Sequence, residues 1–177
     1  MKKLIYILPL VLFLVLVGFL KIGLNRDPRL LPSQFIDKPT PEISVPYLLD
    51  ESQVMTQADL TGEVALVNFW ASWCPTCLGE HDVLMEINRQ SDVVIFGIDY
   101  KDERADGQKW VNERGNPYHA IAFDPEGKVG IDWGLTGTPE TFVLDKEGII
   151  RYKHVGAITW QDWKQTLEPI VNELKQK

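Results

Sequence analysis

Cys74 and Cys77, in the stretch NFWASWCPTC (68–77), are the only two cysteines in 177 residues. Sulfurs at this spacing can close a structural bridge, supply half of a zinc site, or shuttle between dithiol and disulfide. A bridge around so short a loop stabilises a fold by only about 2 kcal/mol in the chain-entropy account, against ~4.7 kcal/mol for a loop of about 100 residues. Zinc asks for a second pair of ligands, and His81, His119 and His154 are scattered without paired spacing. Redox chemistry is the strongest of the three readings. A run of strand-formers ends at Trp70 and leads through Ala71, Ser72 and Trp73 into a helix that begins at the first cysteine. Pro75 suits a first helical turn, where its missing N–H is no loss. The free N–H groups and positive dipole end of such a helix favour a thiolate on Cys74 and lower its pKa below that of a free thiol. Cys74 is then the attacking sulfur, and Cys77, one turn further in and less exposed, the resolving one.

A second motif is GTPET (137–141). Pro139 stands directly before a strand, where it would spoil a central ladder; a cis Thr138–Pro139 bond would remove the conflict with a tight turn. Gly137 and Thr138 would offer their backbone to an extended substrate segment.

The elements that must position these residues follow from the hydrophobic pattern. EVALVNFW (63–70) and DVVIFGIDY (92–100) read as buried strands. A helix runs from Cys74 to about Arg89, and another over 103–115 ends at Gly115, with Pro117 beyond. AIAF is short and extended, and 141–156 forms two strands around a turn near Lys146-Glu147-Gly148. A last helix over 159–176 has Thr159 as N-cap, apolar residues at Trp163, Leu167, Ile170 and Leu174, and a kink at Pro169. EISVPYL and QVMTQADL suggest a short strand and a lead-in. The order β-α-β-α, then a hairpin, then α predicts an α/β domain with a mixed central sheet and helices on both faces.

The N-terminus has a different character. Residues 4–20, LIYILPLVLFLVLVGFL, carry no charge, and about 17–21 residues of helix can cross a hydrocarbon core. A cleaved signal peptide is the alternative, but the run is long for one and no A-x-A site follows. The organisation expected is a membrane anchor at 1–26, an extended proline-rich linker at 27–41 and a globular domain at 42–177. Lys2 and Lys3 hold the short tail inside, which places the domain outside the cytoplasm. Without the four basic residues of the anchor, 14 Lys and Arg face all 25 Asp and Glu, a formal charge of −11. Nucleic acid and anionic headgroups are poor partners for that surface.

FWASWCPTC with the later TPETF resembles the thioredoxin superfamily, and the finer resemblance is to the membrane-anchored CcmG/DsbE group of thiol:disulfide interchange proteins of cytochrome c biogenesis. The matching segments are WCPTC followed by EH, IDYKD (98–102), GNPY (115–118) and GLTGTPETFVLDKEGIIRYKHVG (134–156). The resemblance implies a thioredoxin-like fold behind one transmembrane helix, with Pro139 in cis beside the cysteines. It implies a reducing oxidoreductase in the bacterial periplasm, tethered to the inner membrane and free of cofactor or metal. Its substrate would be the CxxCH disulfide of apocytochrome c, or a thiol protein of that pathway, and a membrane donor of the DsbD or CcdA type would re-reduce it. Trp73, Pro75 and Thr76 would join Gly137 and Thr138 in facing the substrate. Ordinary thioredoxins place a buried aspartate where this chain has Asn68, and Glu140 would replace it as the acid near Cys77, catalytic with Cys74, Cys77 and Pro139. Trp70 reads as core, His81 as a helix histidine four residues beyond Cys77, and Asp99 and Asp102 as an acidic rim or a solvated loop. A reductant for another extracytoplasmic process, and a holdase without turnover, stay open as alternatives.

Overall fold

The computed structural model describes the backbone of residues 2–24 and 34–177, and the side chains of 8–21 and 34–177. The N-terminal unit is a helix, α1 (Lys2–Leu24). Its side chains from 8 to 21 are all exposed. Among the described residues no helix is long and apolar enough to cross a membrane. Met1, the end of the expected anchor beyond Leu24, and the linker up to residue 33 lie outside the described residues.

The second unit runs from Pro32 to Lys177, so it takes in the end of the expected linker. Residues 34–41 are docked, not extended. Asp37 N–H donates to the Ile150 carbonyl and Thr40 N–H to that of Gly148, while Phe35 and Ile36 pack on the core. Two apolar side chains among the prolines are enough to pull this segment onto the sheet.

A five-stranded sheet carries the fold, in the order β5-β4-β3-β6-β7, beside a small β1–β2 hairpin (Ser44–Pro46 and Val54–Thr56). The strands are β3 (Ala65–Trp70), β4 (Val94–Tyr100), β5 (Ala120–Asp124), β6 (Glu140–Leu144) and β7 (Ile150–Val155). β3, β4 and β5 run parallel, β6 and β7 antiparallel to their neighbours. The intervening helices are α2 (Pro75–Gln90) and α3 (Arg104–Arg114). A short α4 (Lys128–Asp132), unforeseen from the pattern because it spans little more than a turn, joins β5 to β6.

Helices cover both faces, unequally. Leu66 and Trp70 of β3 share a core with Leu84 and Ile87 of α2, Trp110 and Val111 of α3, and Trp163, Leu167 and Val171 of the C-terminal helix. Right-handed crossovers between successive parallel strands put α2 and α3 on that same face. Ala65, Val67 and Phe69 alternate to the other face, where Val129 of α4, Met55 and Trp133 close a second core. Phe69, Trp133 and Phe142 meet there edge-on, with ring centroids 5.2–5.6 Å apart.

Gly115 ends α3 at φ 94, a left-handed-side conformation that suits glycine. The C-terminal helix starts with a capping box: Thr159 accepts from the Asp162 N–H, and Asp162 accepts from that of Thr159. It continues as α5 (Trp160–Asp162), a π-helical segment (Trp163–Leu167) and α6 (Glu168–Gln176). The widened π turn lies just before Pro169, where the ring would collide with a carbonyl of the preceding turn. Thr159→Ala removes the cap and is expected to lower stability by about 1 kcal/mol in urea unfolding; an unchanged midpoint would show the cap to be redundant.

Candidate active site

The end of β3 and the start of α2 form the site. Cys74 is the N-cap of α2, and its Sγ accepts a hydrogen bond from the Cys77 N–H at 3.1 Å. Pro75 opens the first turn. The two cysteines are joined in a disulfide, and in this oxidised state Cys74 is no more open than Cys77, at 4% and 3% exposure. The expectation of an exposed Cys74 is corrected in this respect: both sulfurs pack into the core on the α2 side.

Across from the sulfurs stands the turn before β6. Its Thr138–Pro139 bond is cis, and the Thr138 carbonyl oxygen lies 3.6 Å from Cys74 Sγ. Gly137 is exposed, Thr138 half-buried and Pro139 buried. Trp73, Pro75 and Thr76 are exposed on the other side of the pair. Trp73 is 56% exposed, yet its indole is fixed, because Nε1 donates to the Lys101 carbonyl at 2.9 Å. The structure thus gathers Cys74, Cys77, Trp73, Pro75, Thr76, Gly137, Thr138 and Pro139 around one small surface.

Glu140 does not stand where the sequence reading put it. In the β3–β6 ladder it pairs with Phe69, and the next residue, Thr141, pairs with Asn68. Successive strand residues point to opposite faces. Thr141 therefore looks towards α2 and Glu140 away from it, into the core of Phe69 and Phe142. There the Glu140 carboxylate is ion-paired with Lys153 Nζ at 2.8 Å and accepts from the hydroxyl and N–H of Thr136.

The acid on the same buried side of α2 as Cys77 is Glu80. It lies three residues beyond Cys77, on the buried stripe of α2 formed by Cys77, Glu80, His81, Leu84 and Ile87. Its carboxylate is 1% exposed. Oε1 accepts from Asn68 Nδ2 at 2.9 Å and Oε2 from the Ile158 N–H at 2.9 Å. Burial pushes its pKa up from 4.5 to about 7, and these two donors hold back the rise. Asn68 also donates to Thr141 Oγ1 at 3.0 Å, and its Oδ1 accepts from the Tyr118 hydroxyl at 2.9 Å. Each polar atom in this buried knot has a partner. The sequence carries a signal for Glu80: an acidic residue at helical spacing with Cys77, Leu84 and Ile87 on the stripe of α2 that faces the core.

Other candidates resolve as follows. Trp70 is core, stacked on Tyr118. His81 is buried, accepts from Trp110 Nε1 at Nδ1 (3.3 Å), and burial lowers its pKa. Asp99 and Asp102 form no solvated rim: both are buried. Asp102 clamps the segment before the cysteines, accepting from the Ser72 N–H at 2.5 Å and the Ser72 hydroxyl at 2.9 Å.

Comparison with known proteins agrees with this geometry. The redoxin family matches residues 18–169. The thiol:disulfide interchange protein DsbE of Allochromatium vinosum is 48% identical over 93% of this chain and 91% of its own. The protein of the same name from Pseudomonas aeruginosa is 45% identical over 98% and 96%. A secreted thiol-disulfide isomerase from Corynebacterium glutamicum has the same fold, with a TM-score of 0.68 at 24% identity, over 83% of this chain and 96% of that one. A buried cysteine pair capping a helix beside a cis-proline turn, on this sheet and with these relatives, places the chain in the redoxin family and, within it, among the DsbE-type thiol:disulfide interchange proteins: it is a thiol-disulfide oxidoreductase.

Proposed function

We propose that the chain reduces the CxxCH disulfide of apocytochrome c, or of a thiol protein that serves it, in the periplasm during cytochrome c maturation. α1 is the tether: residues 8–20 carry no charge and are exposed. The reading is supported by the DsbE name of the relatives. It is carried by one observation, the placement of Cys74 Sγ at the start of α2 and 3.6 Å from the Thr138 carbonyl, beside an accessible Gly137–Thr138 backbone.

The chemistry follows from these positions. In the reduced chain the α2 N–H groups stabilise a Cys74 thiolate. That thiolate attacks one sulfur of the substrate disulfide, forming a mixed disulfide and releasing the other sulfur as a thiolate, which takes a proton from water. Cys77 then loses its proton to the Glu80 carboxylate and attacks Cys74 Sγ. The second substrate thiolate leaves, the substrate has gained two electrons, and the chain is left with the Cys74–Cys77 disulfide. A membrane thiol donor of the DsbD or CcdA type restores the dithiol. Gly137 and Thr138 align the substrate as an added strand, while Trp73, Pro75 and Thr76 border it.

The test presents the reduced chain with a peptide carrying an oxidised CxxCH segment and with a scrambled peptide carrying the same two cysteines. Faster reduction of the CxxCH peptide is expected. Equal rates would remove the cytochrome assignment in favour of a general extracytoplasmic reductant. Binding with no transfer of electrons would leave only a holdase.

A further inference from the structure

Asp99 is a buried carboxyl near the site that the chemistry above does not use and that, unlike Glu140 and Asp102, has no hydrogen-bond donor on either oxygen among the described residues. It sits on β4, paired in the ladder with Trp70, is 0% exposed, and neither of its oxygens accepts a hydrogen bond among the described residues. Gly107 in the first turn of α3 leaves room for it, because a Cβ there would collide with Asp99 Oδ2. The carboxyl that acts on it, through a side-chain hydrogen bond and through its charge, is Asp102, three residues on, whose two oxygens already accept from the Ser72 N–H, the Ser72 hydroxyl and the Glu103 N–H.

Two carboxylates cannot face one another ionised in an apolar site; one proton must lie between them. Asp102 accepts three hydrogen bonds and, with about four acceptor sites on a carboxylate, keeps one on Oδ2, whereas Asp99 accepts none. We propose that Asp99 acts as a carboxylic acid that donates its proton to Asp102, and that this pair is a positioning device for the Ser72–Trp73 lead-in to Cys74. Burial first, and then the charge of Asp102, push the Asp99 pKa up to about 9, against a smaller opposing pull from Arg104. Arg104 does not neutralise the pair, because its guanidinium is drawn to the carbonyls of Tyr47 and Leu48 and to Glu51. Tyr118 is the other ionisable group facing Asp99, and burial with the charges of Glu80 and Asp99 keeps its phenol protonated. Lys101, Glu103 and Asp106 on the same stretch are exposed.

The consequence is a clamp on the nucleophile's loop that carries a single negative charge at neutral pH. It opens in alkali, when loss of the shared proton sets two buried charges against each other.

Two variants of the full oxidised chain separate the proposal from mere packing. Asp99→Asn keeps the shape and a permanent donor; Asp99→Leu keeps bulk and removes the donor. In infrared difference spectra at neutral pH, the wild type is expected to show a carboxylic-acid C=O band that Asp99→Asn lacks. Hydrogen exchange of the peptide containing Ser72 is expected to speed up about tenfold in Asp99→Leu and to stay within about twofold in Asp99→Asn. Above about pH 9 the wild type loses protection beyond the intrinsic effect of pH, whereas Asp99→Asn keeps it. An ionised Asp99 at neutral pH, or an Asn variant as unprotected as the Leu variant, overturns the proposal. Neither readout depends on turnover, so a failure here is distinct from a failure of the function proposed above.

Discussion

A Cys77→Ser chain, reduced and mixed with its substrate, is expected to accumulate a covalent adduct through Cys74 that the wild type never builds up. The reason is geometric. Cys77 sits one turn behind Cys74 and approaches its sulfur from the same helix, as the disulfide between them demonstrates. An intramolecular thiol so placed acts at an effective concentration far above that of any free thiol, so its removal slows release of the substrate by roughly 10³-fold or more. Turnover falls with it. The companion Cys74→Ser variant forms no adduct, since the sulfur that remains is the one without the N-cap position. Non-reducing electrophoresis and mass spectrometry of the trapped species read both results directly. Equal trapping by the two variants would reverse the assigned roles, and trapping by neither would end the exchange mechanism.

Glu80→Gln should produce the second largest effect, on resolution and on stability together. A carboxyl whose pKa lies at about 7 is suited to take the Cys77 proton near neutrality, and losing a positioned base costs about 10²-fold in the step it serves. Mixed disulfide therefore builds up in this variant too, but decays, unlike that of Cys77→Ser. The same pKa shift fixes a sign for stability. Glu80 holds its proton more tightly folded than unfolded, so stability is full below about pH 4.5 and is lost as pH rises towards 7. The loss amounts to about 3 kcal/mol at most and is flat above that window. In Glu80→Gln this contribution to the slope disappears. A pH-independent cost of about 1 kcal/mol replaces it, because the amide offers one oxygen to the two donors Asn68 and Ile158. Urea unfolding of both chains across the window, taken as a difference, isolates Glu80 from the other titrating groups. Parallel curves would mean that Glu80 ionises normally in the folded chain and is no base for Cys77.

The first expectation rests on a cysteine pair that the sequence displays plainly, the second on Glu80, which is equally visible there but not identifiable as the acid beside them. The reason lies in what each level of structure controls. A cysteine at the start of a helix is a local arrangement: the strand-formers before it, Pro75 after it and the apolar stripe of α2 specify it within about twenty residues. So do the strand–helix order, the Gly115 stop and the Thr159 cap. The knot around Asn68 is of another kind. Its bonds join Asn68 to Thr141, 73 residues away, and Glu80 to Ile158, 78 residues away. No periodicity within either segment reports on such a pairing.

Glu140 and Thr141 show how fine the distinction is. The acid beside Pro139 drew attention because of its place in the motif, but the phase of the β6 pleat, set by the Asn68–Thr141 register, sends it to the opposite face and into partnership with Lys153. Asp99 and Asp102 differ in the same way: their spacing in IDYKD suggests a solvated loop, and only the packing of α3 against β4 buries them. The chain's own order of residues determined the redox pair, its polarity along α2 and the α/β architecture, because these depend on neighbours in sequence and on hydrophobic pattern. Which carboxyl is buried on the cysteines' face of the sheet, and which are locked elsewhere, was decided by tertiary structure, because desolvation and hydrogen-bond partners come from strands and helices far away along the chain.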